Sequence, residues 1–245
     1  MVTNTFTPGT APRPASTAVP GFWWRLAMPL VAVVAGFITL IVVSVVLLIN
    51  ASDATAGAVA TAAASAVLLG CGLAMIRHLP RHERRQIFAS KAGRATTLAT
   101  GIGVGVALAI GSGLIISLGT WLDPGLGSRV HGIEAPLGPG VAGTLLTMLA
   151  VMVFAPIGEE LIFRGILLRG LVRRIPFWWA AVISAAIFGA CHADVWIYLL
   201  WPRYLALAGI GVVLAAVNRS RGYWCGVTAH ATINTVATLA LLLAR

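Results

Sequence analysis

The sequence predicts an all-α fold: a polytopic transmembrane helical bundle of about seven membrane segments, with its N-terminus in the cytosol. Three observations carry this expectation. Of 245 residues, 59% are hydrophobic and 10% charged, against roughly 45–50% apolar and about 25% charged in soluble domains. The apolar residues fall in uninterrupted blocks of 17 or more, the length that answers to a lipid solvent. The basic residues collect in alternate connections between those blocks, as the positive-inside bias requires. The same figures exclude disorder, which needs low hydrophobicity and high charge.

The net charge of +10 and isoelectric point near 11.2 raise the question of nucleic acid. Lys91 is the single lysine, however, and the arginines sit between apolar blocks. An anionic inner membrane surface explains them better, so membrane lipid is an expected partner and nucleic acid is not. Cys71, Cys191 and Cys225 lie within apolar stretches and show no CxxC spacing. They read as small buried hydrophobes that set up no disulfide framework.

In chain order, residues 1–21 are rich in Thr, Pro, Gly and Ala with one charge, Arg13, and read as a disordered cytosolic tail. The tail is too polar to be a signal peptide, and Val2 in place of Gly excludes N-myristoylation. Residues 22–139 form an N-terminal membrane region of three spans, from about Leu26 to Ile49, Ala54 to Ile76 and Ala95 to Gly119. Between the last two lies a basic cytosolic loop, 77–94, holding Arg77, Arg81, Arg84, Arg85, Lys91 and Arg94 against Glu83. A Gly/Pro-rich loop, 120–139, leads into residues 140–245. There a fourth segment runs from Gly140 past Pro156 to Arg173 and Arg174, a fifth from Phe177 to His192, a sixth from Val195 to Val217 and a seventh from Tyr223 to Leu243. With the N-terminus inside, Arg13, Arg25, the 77–94 cluster, Arg173, Arg174, Arg219 and Arg221 are cytosolic, against Arg129 and Arg245 outside.

Five of the seven acids, Asp53, Glu83, Asp123, Glu134 and Asp194, lie in or beside loops, whereas Glu159 and Glu160 stand in the apolar run VFAPIGEELIFRGILL. A carboxylate at bilayer depth costs about 2.5–3.5 kcal/mol on insertion scales, and such residues mark functional sites by default. Arg164, at i+4 from Glu160 in the favourable acid-before-base order, can neutralise it and leaves Glu159 the freer carboxylate. His192 ends AAIFGACH, four residues after Phe188, and His230 sits one turn before Asn234 in VTAHATINTV. Alone, either histidine reads as a packed, hydrogen-bonded residue. His78, His82 and His131 lie in loops and are given no role.

Depth arithmetic joins these elements. Glu159 lies 16 residues before the turn at Ile175 and Pro176, and His192 lies 16 after Pro176. Both are roughly 24 Å from the turn, with His230 and Asn234 at a comparable level, roughly 13–20 Å beyond Arg221. A carboxylate facing an imidazole can hold and deprotonate water. A second histidine with an asparagine can donate to a developing oxyanion. The same Glu159, His192 and His230 could instead bind zinc with one open position, although the HExxH signature is missing. Asp194 reads as a solvated loop acid.

These residues resemble a known pattern. GEELIFRG, FGACH and HATIN match, in order, the EExxxR, FxxxH and HxxxN motifs of the CPBP family, which comprises type II CAAX prenyl endopeptidases and bacterial Abi proteins linked to bacteriocin self-immunity. The motifs fall in residues 140–243, and the first three spans carry none. The resemblance implies an intramembrane endopeptidase of the cell membrane, its cavity open to the cytosol, cleaving a membrane-associated or CAAX-like lipidated protein or peptide. It implies water activation by Glu159 and His192, an oxyanion site at His230 and Asn234, orientation by Glu160 and Arg164, and packing by Phe188. No cofactor is required on this reading, with a zinc metalloprotease as the variant. The alternatives are a non-catalytic immunity or scaffold member binding a peptide or protein partner, and a proton-coupled transporter, for which no internal repeat is found. The sequence is silent on oligomeric state.

Overall fold

The computed structural model describes residues 21–48, 53–126, 138–192 and 200–243, and among these it contains helices and turns and no strand. The expected tail (apart from Gly21), Glu134, His131 and Asp194 lie outside the described residues, as does the expected start of the sixth segment at Val195. Eight helices follow in order: α1 Phe22–Leu48, α2 Asp53–Arg77, α3 Arg81–Phe88, α4 Arg94–Leu122, α5 Gly140–Leu171, α6 Phe177–Ala190, α7 Trp201–Arg221 and α8 Tyr223–Leu243. In lipid every backbone N–H and C=O must be bonded within the segment, so apolar runs of this length fold as helices.

Six of them (α1, α2, α4, α5, α7 and α8) are long and apolar enough to cross a bilayer, and the chain is an integral membrane protein. Their outward faces confirm the solvent: on α1, Val34, Ile38 and Ile41 are 55%, 56% and 59% exposed. The seventh apolar segment, α6, has 14 residues and spans about 21 Å, short of the roughly 30 Å hydrocarbon core. His192 stands two residues past its end and is thereby left short of the far side of the hydrocarbon core.

α5 is the central helix. Leu161 to Leu168 are all buried, the pattern of a helix enclosed on every side. Helix pairs meet through small residues, as membrane helices do in the absence of a hydrophobic drive between them. A Cβ at Gly158 would lie 2.7 Å from the backbone nitrogen of Leu69, so α2 crosses α5 backbone to backbone beside Glu159. Gly105 on α4 likewise abuts Ala229 on α8, where a Cβ would come within 2.5 Å of the carbonyl oxygen.

One sequence expectation is corrected. Residues 77–94, read as a basic loop, contain α3, and Glu83, read as lying in or beside that loop, is buried at 7% exposure. Its Oε2 lies 2.9 Å from Nη2 of Arg25, itself fully buried on α1, and its Oε1 lies 2.7 Å from Nη2 of Arg173, past the end of α5. Three separate stretches of chain are tied at one carboxylate. Arginines counted from sequence as free cytosolic charge therefore do structural duty, because a buried guanidinium requires an anion. Glu83→Gln, which removes that anion from the buried Arg25, is expected to destabilise the fold by about 3–5 kcal/mol, read as a lowered melting temperature in detergent.

Candidate active site

The site forms around α5, whose hydrogen-bond register is unusual where the two glutamates stand. The helix widens to a π register at Ala150–Phe154 and again at Leu161–Leu167, on either side of Ala155–Glu160. Ala155 N–H donates to Ala150 O, five residues back. In that register the Val151 carbonyl points at Pro156, which has no N–H. Asn234 on α8 supplies the missing donor, with Nδ2 2.7 Å from Val151 O. Such π segments recur at functional sites, and here the widening presents a bare carbonyl that positions a side chain from another helix.

Glu160 is fully buried, and its Oε1 lies 3.0 Å from Nη1 of Arg164, which is 2% exposed. Nη2 of Arg164 donates to Gly211 O on α7 at 3.1 Å. The guanidinium carbon stands 4.7 Å from the ring centroid of Phe188 on α6, close enough for a cation–π contact. Glu160 Oε1 also lies 3.1 Å from Nδ1 of His230 on α8. A carboxylate accepts here, so Nδ1 carries the hydrogen, and Nε2 of His230 is turned to Glu159 Oε2 at 3.7 Å, beyond direct hydrogen-bond reach.

Nδ1 of His192 lies 2.9 Å from Phe188 O. A carbonyl only accepts, so Nδ1 is the donor and the neutral ring keeps its lone pair on Nε2. The Phe188 ring stacks edge-on against both histidines, with centroids 5.0 Å from His192 and 5.8 Å from His230. Phe188 thus holds the first imidazole by its backbone and the second by its ring.

Glu159, His192 and Asn234 line two cavities, of about 380 and 720 Å³. The smaller, also lined by Phe188 and His230, runs between α4, α7 and α8 along Ser112, Ile116 and Ala237. The larger is rich in hydroxyls, with Thr61, Ser65, Thr120 and Thr147. Every expected site residue among those described therefore gathers at one place. The partnering differs from the sequence reading in detail: His230 is shared between the two glutamates, and Asn234 is engaged with Val151 O rather than paired with His230. Among the described residues no three His, Cys, Asp or Glu side chains are grouped to hold a metal ion. Glu159, His192 and His230, the alternative zinc set, are not among such groups.

Two contributors were missed in the sequence. Tyr223 is buried, and its hydroxyl donates to Ile157 O at 2.9 Å, pinning the start of α8 to the turn that carries the glutamates. Arg203, in the first turn of α7, lines both cavities. The signal that could have found it is an arginine interrupting the apolar run of the expected sixth segment.

An apolar helical bundle thus buries a Glu–Arg pair against two motif histidines. Residues 141–236 match the family model described as type II CAAX prenyl endopeptidase Rce1-like, which bears out the motif resemblance over that segment. The chain is 33% identical over 115 residues, 47% of its length and 45% of the relative's, to a Bacillus subtilis (strain 168) protein named "Putative membrane peptidase YdiL". It is 32% identical over 101 residues, 40% of its length and 46% of the relative's, to an Escherichia coli protein named "Uncharacterized 24.3 kDa protein". The chain spans somewhat under half the length of these curated relatives. No solved structure matches.

The Val151–Asn234 bond yields a paired expectation. Asn234→Ala strands a carbonyl at a cost of about 1–3 kcal/mol, lowering the melting temperature in detergent. Pro156→Ala added to it restores an N–H facing Val151 O and recovers part of that loss. A double variant no more stable than Asn234→Ala would show that the Pro156 gap is not what Asn234 fills.

Proposed function

We propose that the protein is an intramembrane endopeptidase that hydrolyses a peptide bond of a membrane-associated protein or peptide through water activated by Glu159 and His192. The observation that carries this reading is the presence of Glu159, His192, His230 and Asn234 on the wall of a single cavity within an apolar bundle. The Rce1-like match and the membrane-peptidase name of a relative support it.

The chemistry follows from the donors and acceptors in place. Water between Glu159 and the His192 Nε2 lone pair loses a proton to one of them as its oxygen attacks the scissile carbonyl carbon. The carbonyl oxygen takes the negative charge. The second N–H of Asn234 faces it as the oxyanion donor, with His230 beside it, its own N–H held by Glu160. When the tetrahedral intermediate collapses, the C–N bond breaks and the proton taken from water passes to the leaving amine. Glu160 and Arg164 touch neither water nor peptide; they fix the His230 tautomer by holding its Nδ1 hydrogen. No metal is required.

Glu159→Gln keeps the shape and removes the base, so cleavage is expected to fall by about 10²–10⁴-fold while melting temperature and detergent elution profile stay near wild type. His192→Ala should do the same. Peptide binding with undiminished turnover in Glu159→Gln would take the base role from Glu159, and binding without turnover in the wild-type protein would favour the immunity or scaffold reading. Assays of metal-depleted protein with chelator present are expected to retain full activity; loss restored by stoichiometric zinc would replace this mechanism with a metal-dependent one.

A further inference from the structure

A third cavity, of about 610 Å³, shares no lining residue with the two at Glu159. It lies among the end of α3, the chain just after it, the C-terminal part of α5, the start of α6 and the α7–α8 turn. Contacts tie these stretches together: Arg173 lies on Glu83, Arg169 Nη2 donates to Gln86 O and Lys91 Nζ to Arg219 O. This is the basic belt of the sequence, the end of the bundle that Arg and Lys in short connections hold in the cytosol. The links 49–52, 127–137 and 193–199, outside the described residues, join the opposite ends of the helices.

The lining holds four cations, Lys91, Arg164, Arg169 and Arg219, and no carboxylate. Arg164, the buried one, is neutralised by Glu160. The other three meet neutral groups: Arg169 and Lys91 take the two carbonyls above, and the Arg219 guanidinium carbon stands 4.2 Å from the ring centroid of Phe177. Glu83 is already shared by Arg25 and Arg173, and residues 1–20 contain no Asp or Glu. The N-terminal ends of α6 and α8 reach the same cavity at Phe177 and Tyr223, bringing the positive ends of two helix dipoles. Cations gathered without a counter-ion repel one another, and an anion among them removes that cost.

The rest of the wall is apolar, with Ile87, Leu168, Val172 and Ile175. Next along the chain from Phe177 and Tyr223 stand Trp178, Trp179 and Trp224, 61%, 67% and 46% exposed, and tryptophans mark the headgroup level of a bilayer. A free anion has no use for such walls, whereas a phospholipid presents its phosphate and its glycerol–acyl region together. We infer that this cavity binds the headgroup of an anionic phospholipid of the inner leaflet, with its phosphate among Lys91, Arg169 and Arg219. The site is more than the general attraction of a basic surface, because Arg81 and Arg85 are exposed in the same belt and line no part of it. Its inner wall is Arg164 and Tyr223, which hold Glu160 and the Ile157 carbonyl. A bound lipid therefore braces the cluster that orients His230 from the side away from Glu159. None of this rests on the peptidase reading.

For the test, full-length protein is stripped of lipid in a neutral detergent and titrated with phosphatidylglycerol, phosphatidylcholine or inorganic phosphate. Retention is read by native mass spectrometry and stability by melting temperature. Phosphatidylglycerol is expected to be retained at one site and to raise the melting temperature, and the other two to do neither. Lys91→Gln and Arg219→Gln should each weaken retention about fivefold, and together about 25-fold. Lys91→Arg with Arg219→Lys should restore it, and Arg81→Gln with Arg85→Gln should leave it near wild type. Equal loss in the Arg81 and Arg85 variant reduces the site to diffuse belt charge and overturns the inference, as does inorganic phosphate that stabilises as well as the lipid. A peptide ending in a free carboxylate that binds through Lys91 and Arg219, with no phospholipid retained, overturns it in favour of a peptide site. Photo-crosslinking needs no variant. In wild-type protein, a phosphatidylglycerol photoreactive near its phosphate is expected to mark residues 86–91, 168–177 or 218–224, and marks confined to other segments overturn the assignment.

Discussion

A carboxylate taken into an apolar bundle must be paired, and Glu160 is buried completely. Its Oε1 receives Arg164 from its own helix and His230 from α8. Arg164 in turn reaches the α7 backbone at Gly211 and lies over Phe188 of α6. One charge thus obliges four helices to meet at a point. Removing one member of such a cluster leaves its neighbours uncompensated in a medium of low dielectric, so the cluster is a constraint on the whole C-terminal half. The neighbouring Glu159, only partly covered, faces the cavity that this constraint creates.

Around that point the other polar contacts do the finer positioning. The Phe188 carbonyl selects the Nδ1–H tautomer of His192, and Glu160 selects that of His230. Asn234 is held by a carbonyl that the π register and Pro156 leave without a backbone partner. Each catalytic-type side chain has one face fixed by the scaffold and one face turned to the cavity. That division lets a site of few charges be ordered without being buried shut. A second ionic knot, Arg25–Glu83–Arg173, locks the belt-side ends of α1, α3 and α5.

The helices and the site residues were legible in different ways. Long apolar runs announce membrane helices because lipid offers no other way to satisfy a backbone. Glu159, Glu160, His192 and His230 announced themselves because polar residues at depth are expensive. The burial of Glu83 was not legible because its neighbours in sequence are basic and polar, and burial by a partner 58 residues away leaves no local trace. Arg203 was passed over because its role lies in the cavities it lines, which no stretch of sequence displays.

By itself, then, the sequence determined the class of solvent, the number of apolar segments to within the short α6, the basic belt and the short list of residues from which a site could be made. All follow from composition and period along one dimension. Only the tertiary structure decided which partner each polar group takes, since those bonds join residues tens of positions apart across helix crossings. It alone gave His230 to both glutamates. It alone showed where the cavities lie, because a cavity is a property of the space between helices and has no representation in any one of them.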